Sequence, residues 1–223
     1  MSADKPFSWS YSQLKNFETC PKRYYHYNVA KDIVEPQSQQ LADGNALHKA
    51  FELRIKNGTP LPMGMAMHEG LLARIVGAQG QVYAEQKLAL TSSFTPSTYF
   101  GKAVWFRTQI DATVVNGDRA AVFDWKDGKP KDDTTQLQLM AATLFHHQPN
   151  VQKVSSALVF VSHGETVPAT YLREDLTEIW GEILPRVKLV EKARATQEYP
   201  PKPSGLCKKY CAVVSCPYHG KGA

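Results

Sequence analysis

Apolar residues in the first eighty positions recur with the helical repeat, and from Gln81 onward they alternate with polar ones. Ser10 or Ser12 is placed to cap a short helix reaching Phe17, and Pro21 suits the first turn of a second helix carrying Arg23, Tyr24 and Tyr27. Residues 38–57 read as a longer helix closed by Gly58, because Leu41, Gly44, Leu47, His48, Phe51 and Ile55 fall on or near one stripe. That stripe turns His48 towards the core. A further helix is expected from about Met67 to Val76, ended by Gly77 and Gly80.

In QVYAEQKLAL, Val82, Ala84, Leu88 and Leu90 share one parity and Tyr83, Glu85 and Lys87 the other, the signature of a strand. AVWFRTQIDATVV is a long strand, RAAVFDWK its return, and Asn116-Gly117 the hairpin between them, since both residues tolerate the positive φ of a type I′ turn. Asp133 or Thr134 then caps a helix, TQLQLMAATLFHH, which stops before Pro149. KVSSALVFVS and ETVPATYL pair around His163-Gly164, and a last helix covers roughly 174–197 with a kink expected at Pro185. Helices, three strands, a helix, two strands and a helix make a mixed sheet with helices packed on it, an α/β (α+β) fold.

Composition narrows the class. A chain of 223 residues with 43% hydrophobic and 21% charged residues is that of a folded globular protein, and one domain over 1–223 accommodates it. MSADKPFSWS lacks the apolar core of a signal peptide, and no apolar run approaches the ~20 residues of a membrane span, so a cytoplasmic setting is expected. In that reducing setting four cysteines read as metal ligands, being too sparse for a disulfide scaffold. The net charge of +5 permits an anionic partner without naming one.

VFDWKDGK holds the first spacing that suggests chemistry. Asp124 and Lys126 leave one face of a strand while Phe123 and Trp125 leave the other. Asp111 is the sole acid in WFRTQIDATVV, and a carboxylate in a half-buried strand needs a cation, hydrogen bonds or a metal beside it. Across the hairpin Asp111 can meet Asp124, which would put two acids and a lysine at one spot. Mg2+ or Mn2+ suits such oxygen donors, and a metal beside a lysine can activate water against a phosphoryl group. Taken singly, an Asp-x-Lys pair is more often a salt bridge, His48 more often a core histidine, and Glu85 equally a partner of Lys87 or Lys102. His146 and His147 are explained by the helix dipole.

GNALH (Gly44 to His48), AEQKL with Glu85, QID with Asp111, FDWK with Asp124 and Lys126, and QLQLM (Gln136 to Met140) stand in the order of the motifs of RecB-like nucleases, and the chain resembles that branch of the PD-(D/E)XK superfamily over nearly its whole length. The resemblance implies a restriction-endonuclease-like sheet flanked by helices, with the catalytic core at 81–172. It implies metal binding by His48, Asp111, Asp124 and the main-chain carbonyl of Trp125. Catalysis falls to Asp111, Asp124, Lys126 and an additional acid, Glu85, while Gln136 lies by the DNA. Two positions depart from the pattern: Thr108 stands where a glycine is frequent, and Met140 where a tyrosine is expected to touch DNA.

Cys207, Cys211 and Cys216 are spaced by three and then four residues, and Cys20 makes a fourth thiol. Four soft ligands suit Zn2+ or an iron-sulfur cluster, and spacing does not choose between them, although paired CxxC knuckles are absent. One early cysteine with a late triad resembles the iron-sulfur arrangement of AddB-type and CRISPR-adaptation nucleases, which implies a [4Fe-4S] cluster joining 1–30 to 199–223. Lys22, Arg23 and Tyr24 beside Cys20 are then candidates to face DNA. The expected activity is that of a metal-dependent exonuclease acting on DNA ends or single strands in recombination, repair or spacer acquisition. It would belong to a bacterium or a virus and work alone, as an oligomer or beside a helicase. The alternatives are a DNA-binding or scaffold protein of the same fold without catalysis, and the same nuclease with structural zinc.

Overall fold

A computed structural model describes residues 7–34, 38–131 and 133–221. In chain order the elements are α1 (Tyr11–Thr19), α2 (Pro21–Tyr24) running on into a π-helical turn at Tyr25–Ala30, α3 (Gln39–Asn57), a 3-10 turn at Met63–His68 and α4 (Glu69–Val76). Strands β1 (Gln81–Leu90), β2 (Pro96–Ser97), β3 (Phe106–Asn116) and β4 (Arg119–Lys126) follow, then α5 (Thr135–His147), β5 (Lys153–Phe160), β6 (Glu165–Leu172), α6 (Leu176–Thr196) and α7 (Leu206–Lys209). The described residues form two compact units, one from those of Met1–Ser8 and Ser38–Ile179, the other from those of Trp9–Gln37 and Trp180–Ala223.

Local chemistry sets several of these boundaries. The Ser10 hydroxyl accepts from the Gln13 N–H at the start of α1, and Ser38 does the same for Leu41 at the start of α3. Gly58 closes α3 with φ 69°, a conformation an L side chain resists. Gly117, at φ 58°, makes the turn that pairs Asn116 with Arg119.

The first unit is a layered α/β structure. Its sheet has the order β2-β1-β3-β4-β5-β6, antiparallel throughout except for the parallel pair β4–β5, which α5 joins as a crossover. Pro168, which has no N–H to donate, sits in the edge strand β6. Leu137, Met140, Leu144 and Phe145 of α5 pack with Ile110, Val122, Val154 and Leu158 on one face. Leu47 and Phe51 of α3, with Leu72 and Ile75 of α4, pack on Ala112, Val114 and Trp125 on the other. Simple alternation fails at one step: Ile110 and Ala112 are two apart yet join opposite layers. The β1–β3 register passes from Ala84↔Ala112 to Gln86↔Ile110, and Glu85 between them has φ 52°, a left-handed backbone rare outside glycine and frequent at functional sites.

In the second unit the Glu18 carboxylate takes both Nε and Nη2 of Arg186, at 2.6 and 2.9 Å. Leu14, Tyr24, Val187 and Val190 are buried there, and the Tyr24 ring meets Phe17 edge-on.

Candidate metal centre and active site

The site grows from a fork in the sheet. β3 and β4 pair from Asn116↔Arg119 as far as Ala112↔Phe123, and the next positions are Asp111 and Asp124. Beyond that point β3 stays with β1 and β4 stays with β5. The Trp125 N–H, deprived of a ladder partner on β3, donates instead to Asp111 Oδ2 at 2.7 Å. This bond pins the carboxylate and leaves Oδ1 for His48.

His48 reaches the fork from α3. Its Nδ1 lies 3.2 Å from Asp111 Oδ1 and 3.9 Å from Glu85 Oε1. The two acids push its pKa up to about 10, Asp111 first and Glu85 second, against the opposing effect of burial. Glu85 is aimed by its left-handed backbone and by the Gln109 amide, which donates to Oε2. Glu85 Oε1 is buried without a hydrogen-bond partner, a costly state for a carboxylate oxygen. Among the described residues, His48, Glu85 and Asp111 form the group whose donor atoms all lie within 4.8 Å of one another. One imidazole and two carboxylates fit a divalent ion that takes nitrogen and oxygen.

Asp124 and Lys126 leave β4 together, as the two-residue spacing requires. Asp124 is 3% exposed, and Gln136 on α5 donates to its Oδ1 at 2.7 Å. Lys126 Nζ lies 2.6 Å from Asp124 Oδ2, a close ion pair without a well-directed hydrogen bond, and donates to Gln136 Oε1 at 2.8 Å. Burial raises the Asp124 pKa to about 6, with the Lys126 charge opposing and the Asp111 charge adding. Asp124 is therefore turned to Lys126 and Gln136 and stands outside the His48 group, where Glu85 stands instead. Trp125 contributes its N–H to Asp111, and its ring is buried against Phe51 and Phe123.

Other expected residues divide. Gln136, on the turn of α5 nearest β4, is bonded to both charged groups, which a solvent-facing glutamine would not be. Met140 is fully buried in the α5 layer and presents nothing to DNA. Tyr24 corrects the expectation of a DNA-facing ring: it is 2% exposed, and burial raises its pKa. Arg23 donates to Asn16 Oδ1 at 2.7 Å and covers the Tyr27 ring at 4.8 Å. His147 meets the Ala89 carbonyl at 2.9 Å, and His146 stacks on Phe94, so both are anchored by contacts as well as by their place at the helix end. Gln109 was not foreseen. Its signal is parity: two residues before Asp111 on one strand, it shares that face.

All four cysteines are free and line one recess of the second unit, about 390 Å3 of space open to solvent, with Lys22 and Arg23 at its wall. The Lys202 N–H points at Cys20 Sγ and the Ser204 N–H at Cys207 Sγ, each at 3.4 Å. Among the described residues the thiols form no group of three placed to share one metal ion.

Residues 8–217 match a family model described as the PD-(D/E)XK nuclease superfamily. Among solved structures, the fold is similar to that of a protein from Eubacterium rectale named as a candidate exonuclease, with TM-score 0.50, 14% identity and coverage of 90% of this chain and 85% of that one. It is also similar to the protein SSO0001, with TM-score 0.50, 16% identity and coverage of 98% and 89%. At such identities the likeness is one of fold. No curated protein sequence matches.

Proposed function

Because the chain belongs to the PD-(D/E)XK nuclease superfamily, we propose that it is a divalent-metal-dependent deoxyribonuclease. The observation that carries this reading is the His48–Glu85–Asp111 group, in which Glu85 Oε1 is buried and accepts no hydrogen bond, set at the fork beside Asp124 and Lys126. His48, Glu85 and Asp111 would hold Mg2+ or Mn2+, with Asp124 and the Trp125 carbonyl as further oxygen donors. When bound, the ion supplies charge to the phosphoryl oxygens and lowers the pKa of a coordinated water. His48 must give up its proton before its nitrogen can ligate, and Asp111 is held in place for that exchange by the Trp125 N–H. Lys126, on the same strand face as Asp124, orients the attacking water and offsets charge on the phosphate. Gln136 keeps the lysine and Asp124 in register.

The likeness to the Eubacterium rectale protein supports an exonuclease, and the wider motif resemblance supports a role in recombination, repair or spacer acquisition, alone or with a helicase. For the recess in the second unit we propose a [4Fe-4S] cluster on Cys20, Cys207, Cys211 and Cys216. The lining of one recess by all four cysteines supports a shared metal site, and the two N–H groups aimed at sulfur would stabilise charged thiolates. No helix is long and apolar enough to cross a membrane among the described residues.

Digestion of end-labelled single- and double-stranded DNA with Mn2+ tests the activity. Wild type should release labelled products, and Lys126→Ala should slow release at least about 100-fold. Equal rates would remove the catalytic assignment.

A further inference from the structure

Between the two acids of the metal group the chain carries no acid at all: Gln86–Ile110 contains Lys87, Lys102 and Arg107 and no Asp or Glu. The β1–β3 ladder gathers two of those cations. Lys87 lies opposite Gln109 and Ala89 opposite Arg107, so Lys87, Gln109 and Arg107 share one face. Phe106, Thr108 and Ile110, which alternate with them on β3, are buried, whereas Lys87 and Gln109 are exposed. This is also the face of the metal group, because the Gln109 amide donates to Glu85.

Two aromatic rings complete the surface. Tyr99 and Phe100 lie in the turn between β2 and β3, edge to face, with ring centres 5.0 Å apart. The Arg107 guanidinium stands 5.4 Å from the Tyr99 ring, and the Lys87 ammonium 5.7 Å from each of the two rings. Phe100 is 79% exposed, which puts a large apolar ring in water beside cations. The turn is held by Gly101, whose N–H donates to the Thr98 carbonyl at 2.9 Å, and a Cβ at Gly101 would meet Thr98 Oγ1 at 2.8 Å.

Exposed aromatic rings flanked by cations, on a face continuous with a metal group, have the chemistry of a single-strand track. Rings accept unpaired bases of any sequence, and cations follow the phosphates. In a duplex the bases are stacked on one another and no face is offered to a ring. We propose that this face binds the single-stranded end of a DNA substrate, Phe100 and Tyr99 stacking on an unpaired base and Lys87 and Arg107 taking phosphates, so that the strand runs past Gln109 to His48, Glu85 and Asp111. The proposal rests on the nuclease reading and names its substrate class.

The test is fluorescence anisotropy in metal-free buffer with labelled oligothymidylate and a blunt duplex, for wild type, Phe100→Ala, Phe100→Trp and Lys87→Ala. Both positions are exposed, so melting temperatures should match wild type. Phe100→Ala should weaken oligothymidylate binding by about 5- to 150-fold and leave duplex binding unchanged, and Phe100→Trp should restore it. Lys87→Ala should reduce the slope of log affinity against log salt by about 0.7. The surface is refuted if wild type binds no single strand, if Phe100→Ala binds like wild type, or if duplex binding falls equally. No bond is cut in this assay, so it separates from digestion with Mn2+. Losses in Phe100→Ala with DNA left intact by wild type would overturn the nuclease and keep the track; cleavage with normal binding by Phe100→Ala would do the reverse.

Discussion

Replacing Gln136 by methionine keeps side-chain length and removes one directed hydrogen bond from a buried carboxylate. Asp124 is 3% exposed, and the Gln136 amide at 2.7 Å is its directed donor. A hydrogen bond to a charged group contributes about 1.5–3 kcal/mol, so its loss should move the Asp124 titration up by roughly one to two pH units. The sign follows from linkage. Asp124 already has a folded pKa of about 6 against 3.8 for an ordinary solvated aspartate, because burial disfavours its charge. An acid whose folded pKa is raised makes stability fall as pH climbs from the unfolded value to the folded one. In wild type that fall ends near pH 6, and in Gln136→Met it should continue for a further one to two units. Urea denaturation with EDTA at pH 5 and pH 8 reads the difference: the variant's deficit should be about 1.5–3 kcal/mol larger at pH 8 than at pH 5. A deficit equal at both pH values would mean that Gln136 only fills space. That outcome would refute its role as the donor that holds Asp124 charged.

Binding of Mn2+ should release a proton from His48, whose pKa of about 10 exceeds neutrality, so affinity should rise with pH from 6 towards 10. Calorimetry in two buffers of different ionisation enthalpy detects the proton; release that persists in His48→Ala would assign it elsewhere. Cys20→Ser should lose the visible absorption and iron of anaerobically purified protein and lower its melting temperature. Zinc without iron in the wild-type protein would replace the cluster by the single ion.

Most elements could be read from residue types because their causes are local. Ser10, Ser38, Gly58 and Asn116-Gly117 act within a few residues of themselves, and the structure starts or ends its elements there. Motif order likewise named His48, Glu85, Asp111, Asp124, Lys126 and Gln136, and the structure collects all six about one fork. What periodicity could not carry is the membership of the group. Alternation assigns Ile110 and Ala112 to one face, whereas the left-handed backbone at Glu85 and the missing rung between Glu85 and Asp111 exchange the faces there. The exchange turns Glu85 to His48, and it also puts Lys87, Gln109 and Arg107 on the open side of the sheet. Asp124 illustrates the same limit from the opposite side. Its position on β4 follows from two-residue spacing, but its direction is decided by Gln136, a partner supplied by the crossover helix. The parallel pairing of β4 with β5 that this helix creates has no local signal. Which carboxylate faces the imidazole is thus a property of the sheet's topology, and a motif that names both acids leaves it open.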